Sequence, residues 1–229
     1  MAKKDKSQNI LSRPQIDSVM DLYSNGKIEE AIQEIQSLNE KYPNVPILFN
    51  LLGACYNVLG DFDTSIKMFE TAVSIKPDYA EAFYNLGCVQ GAIGAYGDSI
   101  ESYNNAISIL PNHPNAFNNL GNCFKQLGRL EDAIESYEWA VAFKHDFFQA
   151  YNNLGIVQQE NQKLELAIKS YQKAIEINKD YYDAHFNLGV ALRDLGNLVM
   201  AKKSFETVLK IDSNNEEAKN HLKALNKIV

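Results

Sequence analysis

The stretch Asn118-Asn119-Leu120-Gly121 returns as Asn152-Asn153-Leu154-Gly155. Looser copies read Tyr84-Asn85-Leu86-Gly87 and Phe186-Asn187-Leu188-Gly189, with Leu51-Leu52-Gly53 ahead of them. The glycines fall at 53, 87, 121, 155 and 189, so each step is 34 residues. A fixed period of that size defines a repeat array, in which each unit buries its apolar face against its neighbours rather than in one large core. The period predicts five full repeats, 46–79, 80–113, 114–147, 148–181 and 182–215. Before them, 12–45 keeps the period but has Val19 at the glycine place, so it reads as a degenerate first repeat. After them, 216–229 reads as a single capping helix with Ala218, Leu222, Leu225 and Val229 on one stripe. Residues 1–11 read as a disordered tail.

Within each full repeat, positions are numbered 1 to 34. Position 7 is always leucine, position 8 always glycine and position 24 always aromatic: Phe69, Tyr103, Tyr137, Tyr171 and Phe205. Position 20 is small, from Ser65 to Ala201. Positions 4, 7, 8 and 11 share one face of a 3.6-residue helix, and positions 20, 24 and 27 share a face of a second. The pattern therefore predicts two antiparallel helices per repeat. Glycine inside a helix costs about 1 kcal/mol against alanine, so position 8 implies close helix approach, with the small residue at position 20 expected to meet it. Glycine at position 15 suits the left-handed residue that ends a first helix. The fourth repeat has Gln162 there, and Asn161 is expected to take over that conformation. Ser12 and Gln15 match a capping box at the start of the first helix, with Pro14 tolerated in its first turn.

These residues resemble the tetratricopeptide repeat over about 12–229. The resemblance rests on the period, the Leu-Gly pair, the small residues at 8, 20 and 27, the aromatic at 24 and Pro77 and Pro111 at position 32. It implies an all-α fold, an α-solenoid (superhelix) of helix-turn-helix repeats whose first helices line a concave groove. It also implies that the groove binds peptides or protein segments.

On the first helix, positions 2, 6, 9 and 13 lie opposite the core face, with 5 and 12 at its edge. Position 6 carries Asn85, Asn119, Asn153 and Asn187, while Asn118 and Asn152 at position 5 and Asn122 at position 9 add further amides. An asparagine amide holds both donors and an acceptor, so one per repeat suits the backbone of an extended chain. This row resembles the asparagine ladder in the tetratricopeptide region of O-linked N-acetylglucosamine transferase, which implies backbone contact for the four position-6 residues. Facing solvent, they are expected to be dispensable for stability. The competing reading is polar filler. Tyr84 and Phe186 at position 5 are read either as anchors for a ligand or as braces for neighbours. Positions 2 and 5 lack the lysines and arginines with which chaperone adaptors of this family hold a carboxylate. Lys125 and Arg193 read as solvated charges at the groove edge.

A net charge of −7 with pI ≈ 5.2 speaks against nucleic acid, whose binders carry basic footprints. No apolar run reaches the length of a membrane span. Cys55, Cys88 and Cys123 read as reduced thiols, in a cytoplasmic setting. The four histidines do not converge, so no metal, cofactor or catalytic residue is expected, and Trp139 reads as packing between repeats. Two functions stay open: a non-catalytic adaptor or scaffold that grips an extended peptide, or the substrate-recruiting region of a larger enzyme such as a glycosyltransferase. The terminal helix suits a complete unit, but a further domain can also follow it.

Overall fold

A computed structural model describes residues 11–227. The fold is an all-α solenoid of helix-turn-helix repeats. Among the described residues there are thirteen helices and no strand. They run as α1 Arg13–Ser24, α2 Ile28–Lys41, α3 Pro46–Val58, α4 Phe62–Ile75, α5 Ala80–Ala92, α6 Tyr96–Ile109, α7 Pro114–Gln126, α8 Leu130–Phe143, α9 Phe148–Glu160, α10 Leu164–Ile177, α11 Tyr182–Asp194, α12 Leu198–Ile211 and α13 Glu216–Leu225. The chain divides into two compact units, one ending at Pro111 and the other beginning at Asn112. Of the tail expected over 1–11, only Leu11 is described, and it packs against the core of the first unit. The rest of that tail, and Val229 of the terminal stripe, lie outside the described residues.

The local signals act through backbone bonding. Gln15 closes the start of α1 by accepting the Ser12 backbone N–H at 3.0 Å through its side-chain oxygen. The link inside each repeat is one motif used again and again. In the first full repeat, Asp61 N–H reaches back to the Tyr56 carbonyl at 3.0 Å and Gly60 N–H to Asn57 at 3.1 Å. This pair of bonds is a Schellman closure, which needs a left-handed residue at its centre, and Gly60 has φ +77°. Asp61, which completes the motif, is also the residue that caps α4, accepting from Thr64 N–H at 3.1 Å.

In the fourth repeat the expected shift to Asn161 does not occur. Gln162 itself takes φ +59°, and Asn161 stays at φ −85°. The reason is the shared residue. Lys163 N–H bonds the Gln158 carbonyl at 2.8 Å and Lys163 also caps α10. Moving the left-handed place by one would pull α10 out of register with its core.

The first unit is centred on Val19, Ile35, Leu48, Leu52 and Cys55, all buried, with a second group of Phe69, Leu86 and Val89 beyond it. The second unit buries Tyr171, Leu188, Leu192, Phe205 and Val208 together with Ala218 and Leu225 from α13. The close approach at position 8 is real, but its partner is not the small residue. A Cβ on Gly53 would lie 2.7 Å from the Phe69 ring, and on Gly155 2.5 Å from the Tyr171 ring. The position-24 aromatic of the second helix therefore occupies the glycine's space. In the two repeats with serine at position 20, that residue meets the glycine's carbonyl instead: the Ser65 hydroxyl donates to Gly53 and the Ser99 hydroxyl to Gly87, both at 2.7 Å.

Candidate functional site

The position-6 asparagines sit half-buried on the first helices, and each amide with a bond between repeats is used in the same way. In the first unit, Asn85 Nδ2 donates to Asn50 Oδ1 at 3.0 Å, and Asn50 Nδ2 to Glu81 Oε1 at 3.4 Å. In the second unit, Asn153 Nδ2 donates to Asn118 Oδ1 at 3.1 Å and Asn187 Nδ2 to Asn152 Oδ1 at 3.0 Å. Asn118 also donates to Asn119 Oδ1 at 3.2 Å. The three inter-repeat bonds each link residues 35 apart, position 6 of one repeat to position 5 of the one before. The position-5 acceptors Asn50 and Asn152 are 3 % and 4 % exposed, so Asn152 supports Asn187 from below rather than presenting itself to a ligand.

This corrects the expectation that the row is dispensable for stability. A buried acceptor stripped of its donor costs about 1–3 kcal/mol. The bonds also set what the amides offer. An asparagine has two N–H groups and a carbonyl oxygen, and the inter-repeat bond takes only one N–H. Asn122 is exposed, and its Oδ1 accepts the Tyr137 hydroxyl at 2.6 Å. Tyr171 similarly donates to Gln159 at 3.0 Å. Burial holds both phenols well above their ordinary pKa of 10, so they act as donors throughout the working pH range.

Tyr84 and Phe186 are half-buried and lean on the aromatic at position 24 of their own repeat. Tyr84 lies 5.9 Å from Tyr103 and Phe186 5.7 Å from Phe205, between ring centroids. Phe186 also meets His221 edge-on at 5.6 Å, and His221 stacks flat on Phe205 at 4.6 Å. Arg193 lies 3.0 Å from His221 Nδ1 and 2.6 Å from Asp194 Oδ1. Burial first, and the Arg193 charge second, hold His221 below its ordinary pKa of 6.5. In the neutral ring Nδ1 accepts from the guanidinium.

The sequence reading left His221 isolated. The signal was present: His221 stands 35 residues after Phe186, the same relation as the asparagine pairs. Lys125 and Arg193, read as solvated, are in ion pairs, Lys125 with Glu160 at 3.4 Å. Trp139 was expected between repeats, but its ring contacts lie within its own. It stacks on Phe117 of its own repeat and on Phe143, and remains 48 % exposed.

Cys55 and Cys123 are buried and Cys88 is half-buried, and burial lifts Cys55 to a pKa of about 11. Among the described residues no group of histidine, cysteine or carboxylate side chains is placed to hold a metal ion. No described helix is long and apolar enough to cross a membrane.

Paired helices closed by a repeated left-handed turn, with an aromatic ring over each position-8 glycine, define a helical-repeat protein. Models of the TPR repeat match residues 53–94, 92–128, 121–162 and 160–196, and a tetratricopeptide repeat model matches 182–215. The chain belongs to the tetratricopeptide repeat family, whose members generally mediate protein–protein interactions. No curated protein matches it significantly.

Among solved structures, MamA is 25% identical with a TM-score of 0.69, over 72% of this chain and 96% of MamA. YrrB, described as a TPR protein with an unusual peptide-binding site, is 17% identical with a TM-score of 0.72, over 82% and 97%. The C-terminal part of a TPR repeat-containing protein from Cytophaga hutchinsonii is 20% identical with a TM-score of 0.77, over 93% and 85%.

Proposed function

We propose that the chain is a non-catalytic adaptor that binds an extended peptide along its first helices, with the position-6 asparagines pairing to the peptide backbone. In this reading 12–45 and 216–229 act as terminal caps on the five repeats. Asn119, Asn153 and Asn187 hold peptide in the second unit, and Asn85 offers the same contact in the first. Tyr84, Phe186 and Asn122 supply selectivity, while Asn118 and Asn152 serve as supports.

The observation that carries the reading is the inter-repeat bond itself. It fixes the amides of Asn85, Asn153 and Asn187 while leaving each a second N–H and a carbonyl oxygen. That is the donor–acceptor pair an extended backbone requires. Because the contact is to backbone, many peptide sequences are accepted. With Lys125 and Arg193 already ion-paired, salt has little effect.

The test is a peptide selected on the intact chain from a random displayed library. It is titrated calorimetrically into the wild type and into Asn85→Ala/Asn119→Ala/Asn153→Ala/Asn187→Ala. Each lost amide pair weakens binding by about 0.5–1.5 kcal/mol, so the four together nearly abolish it. The variant also melts earlier, so the titration is run where its helicity matches the wild type. Equal affinity refutes the ladder.

A further inference from the structure

Outside the first-helix face, one side-chain cluster has a built geometry and no partner. On α8, Trp139 and Phe143 stack at 5.7 Å, and both rest on Phe117 of α7, at 6.2 and 5.7 Å. The three-ring stack fixes the indole plane, yet Trp139 is 48 % and Phe143 38 % exposed. Glu135, one turn before Trp139, and Glu138 beside it line the same open notch of about 350 Å³ together with Ala142. Neither carboxylate has an ion-pair partner among the described residues. The cations flanking α8 are engaged elsewhere: Arg129 with Asp132 and over the Phe124 ring, Lys144 over the Phe147 ring at 4.7 Å. The same position of the other full repeats carries Thr71, Asn105, Lys173 and Thr207, so the ring is not part of what the repeat needs to fold.

An exposed, immobilised indole beside two unpaired carboxylates is complementary to a cation with a flat face. Tryptophan is the strongest cation–π partner among the side chains. A guanidinium both stacks on it and extends a fork of N–H groups towards carboxylates, which an ammonium does not. The chain already contains that arrangement: Arg129 lies 4.4 Å over Phe124 while pairing with Asp132 at 2.7 Å.

We propose that the Trp139–Phe143–Phe117 stack, with Glu135 and Glu138, is a second docking site that takes an arginine side chain from a partner protein segment. It is separate from the asparagine row, being carried on a second helix.

Trp139 is the chain's single tryptophan, so its fluorescence reports occupancy of this site alone. The probe is the peptide Gly-Leu-Arg-Leu-Gly, blocked at both ends, against its citrulline counterpart, which keeps the shape and loses the charge. The arginine peptide is expected to change the emission saturably. Half-saturation should rise about tenfold with citrulline, and by a similar factor in Glu135→Gln/Glu138→Gln, as an exposed cation–π contact plus ion pairs implies. That variant is confined to the surface and keeps the ring stack. Trp139→Leu, followed by calorimetry, should bind neither peptide. Equal responses to the two peptides, a Gln variant of unchanged affinity, or no saturable response to arginine overturns the proposal. So does an emission change that follows protein concentration alone, because the occupant is then a second copy of the chain.

Discussion

Gly155→Ala tests the packing rule on which the array is built. The added Cβ would lie 2.5 Å from Tyr171 Cε1, 2.7 Å from Cδ1 and 2.9 Å from Cζ. Carbon atoms settle at about 3.5–4.0 Å, so the ring must retreat by about 1 Å. It has nowhere to go: Tyr171 is 1 % exposed and its hydroxyl is tied to Gln159. Overpacking of this kind costs about 1–3 kcal/mol, and removing a glycine from a helix returns about 1 kcal/mol. The net expectation is a loss of up to about 2 kcal/mol, worked from these two opposing contributions, and about 1–3 kcal/mol relative to a glycine-to-alanine change with no clash.

Gly97→Ala is the internal control, because Gly97 is helical and a Cβ there meets nothing within 4 Å. It should be neutral or stabilising by up to about 1 kcal/mol. Urea titrations followed by circular dichroism, with thermal midpoints moving by about 2–4 °C per kcal/mol at this chain length, separate the two. Tyr171→Leu then closes a double-mutant cycle, in which the methyl group at 155 should cost less once the ring is gone. If Gly155→Ala behaves like Gly97→Ala, or if the cycle shows no coupling, ring-over-glycine packing is not the reason for glycine at position 8.

Gln162→Gly should stabilise the second unit by about 1 kcal/mol, since an L-residue in the left-handed region costs about 1–2 kcal/mol. Thermal melting checks it, and a loss of stability would show that the Gln162 side chain contributes more than its backbone strain removes. His113 and His221 are both held below 6.5, chiefly by burial, and His113 accepts the Ala116 N–H that caps α7. As pH falls below about 6.5 the unfolded chain binds these protons first, so stability declines below that pH and is level above about pH 7. The melting midpoint of the wild type should therefore fall relative to that of His113→Asn/His221→Phe between pH 7 and about pH 5. A constant difference contradicts the assignment.

The fold was legible because its signals are local and repeated. Ser12 with Gln15, and the glycines at position 15, each act on backbone within a few residues, and the structure places them in those roles. What escaped was set by how two helices cross. Ser65 and Phe69 share one helical face, and the periodicity of that helix does not say which lies over Gly53. The crossing puts the ring there and leaves the hydroxyl to the glycine carbonyl. Trp139 was misread for a related reason. Its place on α8 faces Phe117 within the same repeat, a direction that spacing along one helix does not encode. Gln162 was misassigned because asparagine's ease in the left-handed region was weighed without the Schellman bonds, which bind that place to the cap of the following helix.

Under the proposed function, the asparagine row makes stability and recognition share one set of side chains. Read along a single helix, Asn153 and Asn187 are polar groups on an outer face. Read at a separation of 35 residues, each is the donor half of a pair with the preceding repeat, whose acceptor is half-buried at Asn118 and buried at Asn152. Under the proposed function this pairing favours binding. Immobilising a side chain in an interface costs about 0.5–1.5 kcal/mol, and an amide already held by its neighbour has met most of that cost before a peptide arrives. The same separation joins Phe186 to His221, where an aromatic contact replaces the amide pair. The amide row therefore ends at Asn187. On the proposed function, a peptide extending past it towards α13 would meet rings instead of amides, and its backbone contacts would give way there to an apolar side chain.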